Sequence, residues 1–421
     1  MRFGTIFEIS SAQLMNVFQI EGGARLTGEI EVRGSKNAAA PIIAATLLTQ
    51  EPCVLSNVPL IEDIFRLLDI LKITNKDIDP SRMDFQLVRK IRMSILLLGS
   101  LSARFNHFKL YHPGGCVIGA RPVDTHMDAL QKLGVAVVRD QNVYDVDASG
   151  RQAAKVILRE FSVTGTENAL MLAAGLPGTT TIKIAACEPH VEDLGEFLQK
   201  MGAKIHGLGT HTVTVEGSQE LHGVEHEIIP DPIEAATFLV LGAATGSDIS
   251  VRHAREEHLE LVLEKLRDFG VEFLIEEDLI KVVPAKKLVS PGKVKPEIYP
   301  GIPTDTQSLF GILSAFAEGE TLIHDHIFES RFNYAPEIEK MGAKITVLNP
   351  HQAIIRGGAK MRGTRIRSYD LRAGASLIIA ALAVPGQSII EEIDQVDRGY
   401  ERIEERLQKI GANIVRKDLV E

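Results

Sequence analysis

A glycine-centred phrase occurs five times in the 421-residue chain and constrains the fold more than any other feature. It is Lys-Leu-Gly-Val-Ala-Val around Gly134, and variants follow around Gly202, Gly270, Gly342 and Gly411. The spacing of about 70 residues exceeds that of solenoid repeats and suits a small α/β unit. Each phrase closes an amphipathic stretch, such as 401–410. The glycine therefore predicts a helix C-terminus followed by a strand.

The units also begin alike, with a polar turn and then an alanine-rich apolar stretch. Six such stretches occur, at 35–48, 92–103, 165–174, 231–244, 304–317 and 371–384. They are apolar on nearly every side, so we expect interior helices covered by sheets. The later helix of each unit has one charged face and belongs outside. The first unit is the least regular, because 71–79 lacks the expected glycine.

These patterns predict an α/β protein with two similar domains. Each domain is expected to hold three βαβα-type units with interior helices, an inside-out α/β barrel, and 421 residues are too many for one core. We expect a first domain at 33–229 and a second at 1–32 plus 230–421. The hinge would lie near 227–231, with a strand at 17–32 crossing into the second domain. A ligand cleft is expected between the domains.

Composition narrows the class of protein. Hydrophobic residues make up 45% and charged residues 24%, and the formal net charge of -10 argues against a nucleic-acid surface. Three cysteines are too few for a disulfide framework, and none has zinc-site spacing. No apolar run reaches membrane-helix length, and 1–14 does not resemble a signal peptide. We expect a cytoplasmic protein without a metal, a nucleic-acid partner or membrane insertion.

Charged residues recur at the starts of the interior stretches. Lys36 follows Ser35 at the first, where a helix N-terminus and a lysine suit an anion, although a capped helix with a solvated lysine is the alternative. Arg92, Asp305 and Arg372 hold corresponding places in later units. Asp305 is a candidate functional acid or, alternatively, an N-cap.

Together the cations of different units suggest one anion-binding cleft. The set is Lys36, Arg92, Arg121, Arg331, Arg372 and Arg398. In an acidic protein such a set indicates a small polyanionic ligand. No glycine-rich nucleotide fingerprint or Walker motif follows a strand, which argues against a kinase or a dehydrogenase.

Cys116 lies between Gly115 and Gly119, with Arg121 and Asp124 close behind. The glycines permit a mobile surface loop, and the arginine would favour a thiolate or hold an anion beside it. A buried cysteine in an ordinary turn is the alternative for an isolated cysteine.

Several motifs in order along the chain resemble the enolpyruvyl transferase family. They are Gly34-Ser35-Lys36-Asn37-Ala38-Ala39, Arg89-Lys90-Ile91-Arg92-Met93-Ser94, the loop 116–124, Pro303-Thr304-Asp305, Glu329-Ser330-Arg331-Phe332, Asp370-Leu371-Arg372-Ala373 and Asp397-Arg398-Gly399-Tyr400-Glu401. They span about residue 15 to the C-terminus. The cysteine loop separates this branch from the shikimate-pathway relative of the same fold.

The resemblance implies transfer of the enolpyruvyl group of phosphoenolpyruvate to the 3-hydroxyl of UDP-N-acetylglucosamine. Phosphate is released, no cofactor is needed, and the step is the first committed one of peptidoglycan synthesis. The reaction is addition followed by elimination, with Cys116 as general acid and Asp305 accepting the hydroxyl proton.

The resemblance also implies binding roles. Phosphoenolpyruvate would meet Lys36, Arg121 and Arg398, supported by Arg331 and Arg372. The sugar nucleotide would contact Asn37, Arg92, Arg121, Pro122, Val123, Asp124, Thr125, Ser162, Val163, Asp305 and Ile327. Thr125 departs from the aliphatic residue usual in the family, and 71–85 is short.

Three alternatives stay open at this point. One is an enolpyruvyl transferase with another hydroxyl acceptor. Another is a non-catalytic paralogue that binds the sugar nucleotide, against which intact Lys36, Cys116, Asp305 and Arg398 weigh. The third is a repeat scaffold, which the acidic balance disfavours.

Overall fold

The computed structural model describes residues 14–71, 80, 83, 85–114 and 123–420. In chain order its helices are α1 (Lys36–Ala45), α2 (Glu62–Ile70), α3 (Phe85–Lys90), α4 (Leu97–Arg104), α5 (Asp124–Lys132), α6 (Val163–Ala174), α7 (Pro189–Lys200), α8 (Pro232–Thr245), α9 (Glu260–Asp268), α10 (Gln307–Phe316), α11 (Ala335–Lys340), α12 (Leu371–Ala383), α13 (Asp394–Asp397) and α14 (Ile403–Lys409). Short 3₁₀ turns precede α4 at Arg92–Leu96 and α10 at Thr304–Thr306.

The six predicted interior helices are all present, as α1, α4, α6, α8, α10 and α12. Every residue of α8 from Ile233 to Ala243 is buried, which explains why its sequence shows no polar face. Helices α8, α10 and α12 pack against one another, and α4 contacts both α1 and α6. Hydrophobic burial by neighbours on all sides therefore holds these helices in the interior.

Side-chain caps fix where four interior helices begin. The Ser35 hydroxyl accepts a hydrogen bond from the Ala38 amide at 3.3 Å, and Ser162 caps α6 in the same way. Asp231 and Asp370 cap α8 and α12 with their carboxylates. Because each cap satisfies amides that have no partner within the helix, the neighbouring polar residues are held at defined helix starts.

The strands are β1 (Leu14–Gly22), β2 (Thr27–Glu31), β3 (Val54–Ser56), β4 (His107–Tyr111), β5 (Ala136–Asp140), β6 (Val143–Asp147), β7 (Lys155–Ile157), β8 (Gly178–Lys183), β9 (Lys204–His206), β10 (Thr212–Gly217), β11 (Glu225–Glu227), β12 (Asp248–Arg252), β13 (Glu272–Glu276), β14 (Leu279–Val283), β15 (Lys293–Val294), β16 (Glu320–His324), β17 (Lys344–Asn349), β18 (Gln352–Arg356), β19 (Arg365–Arg367), β20 (Gly386–Glu391) and β21 (Asn413–Val420). They form six separate sheets over the described ranges.

Four of these sheets share one design, which confirms the repeat. Each has a parallel pair of strands and an antiparallel pair, as in the order β7-β8-β10-β9, where the antiparallel pair β9 and β10 is a hairpin. In the sheet β19-β20-β1-β21 the antiparallel pair comes instead from the two ends of the described chain. These units add two strands to the predicted βαβα pattern, because the strand after a phrase glycine such as Gly202 or Gly270 turns back and pairs with its successor. All five phrase glycines have positive φ, from 78° at Gly134 to 118° at Gly202, as a helix stop requires.

The N-terminal segment contains two strands, so the single strand expected at 17–32 was wrong in detail. The first strand ends at Gly22, and the turn that separates it from the second begins at Gly23, which has a φ of 88°. Strand β1 pairs with β20 and β21, while β2 runs parallel to β12 in another sheet. The first residues of the described chain therefore complete the sheet of the last unit.

Buried apolar side chains form two separate clusters. One contains residues from 38 to 229, and the other contains 18–32 together with 235–414. We propose that the domains are 33–229 and 1–32 plus 230–421, following this division. Two segments cross between them side by side, with the Ser35 amide donating to Ile229 and the Asp231 amide donating to Arg33. Gly34 lies at this crossing, where a Cβ would approach the Asn57 carbonyl oxygen to 1.7 Å.

No helix in the described part of the chain is long and apolar enough to cross a membrane. Within the same ranges, histidine, cysteine and acidic side chains form no cluster of three suited to a metal ion.

Candidate active site

A cavity of about 160 Å³ lies at the starts of the interior helices. Its wall contains residues from the first half of the chain, 33–229, and from the second half, which is 230–421 with the N-terminal strands. Seven of the predicted site residues line it, namely Lys36, Asn37, Arg92, Asp305, Arg331, Arg372 and Arg398. The lining contains five cations and three carboxylates, Asp63, Asp305 and Asp370. The cavity is therefore suited to an anionic ligand of small size.

Lys36 is buried in the first turn of α1, so the alternative of a solvated lysine is wrong. Its Nζ donates to Asp63 Oδ2 at 2.6 Å. The same carboxylate accepts from Arg398, whose Nε lies 2.9 Å from Oδ1 and whose Nη2 lies 3.4 Å from Oδ2. Asp63 thus joins a cation of the first half of the chain to a cation of the second.

Burial and charge act in opposite directions on this pair. Burial lowers the pKa of Lys36 below its ordinary value, and the adjacent Asp63 opposes that shift. For Asp63, burial alone would raise the pKa, but Lys36 and Arg398 outweigh it and hold the pKa below its usual range. The carboxylate is therefore ionised at neutral pH.

Asp305 makes a second group of one carboxylate and two cations. Arg331 Nη1 lies 3.0 Å from its Oδ1, and Arg372 Nε lies 3.3 Å from its Oδ2. Burial favours a raised pKa, yet Arg372 and Arg331 hold the pKa of Asp305 well below its ordinary value. Asp305 lies within the 3₁₀ turn Thr304–Thr306, and in the described structure its carboxylate caps neither that turn nor α10, so its N-cap alternative is wrong.

Arg372 is held from several directions at the start of α12. Its guanidinium lies beside the Tyr400 ring, and its Nη1 is 3.4 Å from the Tyr400 hydroxyl. Asp370 accepts from the Arg372 amide at 2.9 Å and from Asn333 Nδ2 at 2.6 Å. Packing and hydrogen bonds together fix this arginine before any ligand arrives.

Six other predicted residues do not line this cavity, namely Val123, Asp124, Thr125, Ser162, Val163 and Ile327. Val123 to Thr125 lie at the start of α5, and Ser162 and Val163 at the start of α6, whose Thr164 reaches the cavity. Thr125 is buried and donates to Glu160 at 2.9 Å. Cys116, Arg121 and Pro122 lie outside the described residues.

Sequence reasoning missed two of the three carboxylates of the cavity. Asp63 is an acid in the first turn of an amphipathic helix, where a carboxylate usually just complements the helix dipole. Asp370 was quoted within a motif but given no role, although a cap immediately before an apolar stretch could have indicated one. Nothing in the local sequence of Asp63 indicates its partners, which are 27 and 335 residues away.

Comparison with known proteins identifies the family of the chain. The family model for EPSP synthase (3-phosphoshikimate 1-carboxyvinyltransferase) matches residues 20–407. The UDP-N-acetylglucosamine 1-carboxyvinyltransferase of Methylacidiphilum infernorum is 42% identical over 96% of this chain and 99% of its own. The protein of the same name from Koribacter versatilis is 39% identical over 96% of both chains.

Solved structures confirm the α/β fold. The enolpyruvyl transferase NikO from Streptomyces tendae superposes with a TM-score of 0.86 at 26% identity, covering 97% of this chain and all of that one. EPSP synthase from Acinetobacter baumannii, at 18% identity and a TM-score of 0.70, has the same fold over 96% of this chain and all of its own. The chain belongs to the enolpyruvyl transferase family, among the UDP-N-acetylglucosamine 1-carboxyvinyltransferases.

Proposed function

We propose that the protein transfers the enolpyruvyl group of phosphoenolpyruvate to the 3-hydroxyl of UDP-N-acetylglucosamine and releases phosphate. The observation that carries this proposal is the cavity between the two halves of the chain, whose wall contains Lys36 and Arg398 together with Asp305. Phosphoenolpyruvate has two anionic groups, and the cavity has a surplus of cations. Identity of 39–42% to relatives with this activity in their names supports the choice of acceptor.

Lys36, Arg121 and Arg398 are proposed to hold the phosphate and carboxylate of phosphoenolpyruvate, with Arg331 and Arg372 supporting them. Lys36 supplies a compact charge, whereas the arginines supply paired donors in a plane. Because Lys36 and Arg398 come from the two halves of the chain, an anion that contacts both would help to hold the halves together. That closure would exclude water from the reacting atoms.

Asp305 is proposed to accept the proton of the sugar 3-hydroxyl while the hydroxyl oxygen bonds to C2 of phosphoenolpyruvate. Its depressed pKa makes it a weak base as long as Arg331 and Arg372 contact it. An anionic substrate competes for those arginines, so binding would raise the basicity of Asp305. The base would then become effective only in the occupied site.

Cys116 is proposed to protonate C3 in the addition step, which turns the methylene into a methyl group. In the elimination step the C2–O bond to phosphate breaks with phosphate as the leaving group, and the methyl group returns a proton to the Cys116 thiolate, leaving the enol ether. The sugar nucleotide is proposed to lie along Asn37, Arg92, Asp305 and Ile327. The starts of α5 and α6 complete that proposed surface through Pro122 to Thr125, Ser162 and Val163.

We place the reaction in the cytoplasm, as the first committed step of peptidoglycan synthesis, and so in cell-wall growth, cell shape and division. Both proposed substrates are small molecules, and no step requires a cofactor. Asp305 and the cationic set supply proton transfer and charge stabilisation, the two needs of the addition.

The test is phosphate release by the full chain with each substrate alone and with both together. We expect release above background only when phosphoenolpyruvate and UDP-N-acetylglucosamine are both present. A reaction with shikimate 3-phosphate in place of the sugar nucleotide tests the other-acceptor alternative suggested by the family model. Phosphate release from phosphoenolpyruvate with shikimate 3-phosphate but not with the sugar nucleotide would overturn the proposed substrate. Binding of the sugar nucleotide without turnover would favour the non-catalytic alternative.

A further inference from the structure

Asp63 has the most buried carboxylate in the cavity and contacts two cations that come from the two halves of the chain. Its side chain is 3% exposed, compared with 27% for Asp305. Lys36 is 27 residues away in sequence, and Arg398 is 335 residues away. No other carboxylate in the described cavity wall joins the two halves of the chain in this way.

We propose that Asp63 is a resident counter-anion that competes with phosphate for Lys36 and Arg398 and thereby sets how tightly phosphate is held. This inference rests on the proposed function for its substrate, since it concerns the phosphate of phosphoenolpyruvate and the phosphate product. Asp63 is a positioning residue, because it acts through the two cations.

The competition follows from which donor atoms Asp63 occupies. It takes one hydrogen bond from Lys36 Nζ and two from Arg398, through Nε and Nη2. Arg398 Nη1 donates instead to Gln395 at 3.1 Å. A phosphate reaching the planar edge of Arg398 formed by Nε and Nη2 must therefore share or displace the carboxylate.

The same geometry predicts that the cations stay in place when the carboxylate is neutralised. Lys36 belongs to the capped first turn of α1, and Arg398 keeps its bond to Gln395. Replacing the carboxylate by an amide of the same shape would leave two buried cations with less compensating charge. Such a site should attract an anion more strongly.

Asp63 is poorly placed to serve as a second proton acceptor. Lys36 and Arg398 hold its pKa below the ordinary value, and its side chain is only 3% exposed. Asp305 is more exposed and faces different arginines. Asp63 therefore balances the charge of Lys36 and Arg398, whereas Asp305 is the carboxylate proposed to accept the hydroxyl proton.

The experiment compares the full-length wild type with Asp63→Asn, Asp63→Glu and the matched control Glu62→Gln. Glu62 is the adjacent residue of α2 and pairs only with Arg66 on the surface among the described contacts. Calorimetric titration with inorganic phosphate should show about tenfold tighter binding to Asp63→Asn. Asp63→Glu keeps the charge and should bind within about threefold of the wild type, as should Glu62→Gln.

Steady-state kinetics supply a readout that a merely structural role would not give. For Asp63→Asn we expect the KM for phosphoenolpyruvate to fall together with kcat, because phosphate is held more tightly before and after the reaction. Weaker or unchanged phosphate binding by Asp63→Asn would overturn the proposal. A raised KM would overturn it too, since it would show that Asp63 only orients the cations.

The effect of phosphate on Tm tests the proposal even if the variant is less stable. If Asp63→Asn is less stable, the rise in Tm on adding phosphate should still exceed that of the wild type, because phosphate then supplies the missing charge. An equal or smaller rise would count against competition. Phosphate binding does not depend on turnover, so an inactive wild type would refute the proposed function while leaving the binding comparison decisive for Asp63.

Discussion

Arg406 donates to the carboxylate of Glu234 inside the second half of the chain, and both side chains are buried. The pair lies beside the crossing between the two halves of the chain. The other Glu234 oxygen accepts from the Arg33 amide at 2.6 Å, and Arg406 also donates to the Glu31 carbonyl. Two side chains from α8 and α14 therefore hold the segment that leads from β2 to Lys36.

Replacing Arg406 by methionine should destabilise the protein by about 3–5 kcal/mol, because Glu234 would remain as a buried charge without its partner. Chemical denaturation followed by circular dichroism measures this change. The control is Arg356→Met, which removes a half-exposed strand arginine paired with Glu320 and should cost less than about 1 kcal/mol. Equal losses for the two variants would contradict a special role for the buried pair.

Replacing Asp305 by asparagine should lower kcat by roughly 10²–10⁴, because the acceptor hydroxyl would lose its proton acceptor. The KM for each substrate should change far less. Steady-state phosphate release measures both, with Asp278→Asn as a control, since that exposed aspartate pairs with His253 on the surface. A kcat within about fivefold of the wild type would exclude Asp305 as the base.

The fold was more predictable from the sequence than the site, for a physical reason. Repeated glycines at helix ends and apolar helices such as α8 reflect local backbone and burial requirements, so they are visible in a single stretch of sequence. The pairing of β1 with β20 and β21, in contrast, depends on contacts between opposite ends of the chain. Asp63 was missed for the same reason, because its partner Arg398 lies 335 residues away in the sequence.

The site motifs were informative where a charge stands at the start of an interior helix. Lys36 and Arg372 lie in the cavity because capped helices point their first turns there. Thr125 and Ser162, which the family resemblance placed in the site, lie at the starts of α5 and α6 but outside the cavity wall. The direction in which a helix start faces depends on packing between units, which the local sequence does not encode.

Thiol reactivity should single out Cys116. Burial, with Glu188 and Glu192 nearby, raises the pKa of Cys187 to about 11, and burial also raises the pKa of the half-buried Cys53. Both should therefore react slowly at neutral pH. With sugar nucleotide present, we expect an epoxide phosphonate such as fosfomycin to add once, at Cys116, as shown by intact mass and peptide mapping.

The Cys116→Ser variant is the control for that labelling and should give no adduct. Comparing Cys116→Asp with Cys116→Ser then tests the proposed proton donation by the thiol. Aspartate preserves an acid, so turnover should survive in Cys116→Asp and fall in Cys116→Ser if the thiol donates a proton. An adduct mapped to Cys53 or Cys187 would contradict the assignment.

Glu167 should make the stability of the first half of the chain depend on pH. It is buried in α6, its Oε1 has no hydrogen-bond partner within the described residues, and burial with nearby Glu188 raises its pKa well above the ordinary value. A raised folded-state pKa favours folding at low pH, and that contribution is lost as pH rises from the unfolded pKa through the folded one. The neutral variant Glu167→Gln should therefore become more stable relative to the wild type as pH rises from 5 to 8, and its Tm advantage over the wild type should grow across that range. Exposed Glu196 on α7 provides the control variant Glu196→Gln, and parallel Tm profiles for wild type and Glu167→Gln would refute the shift.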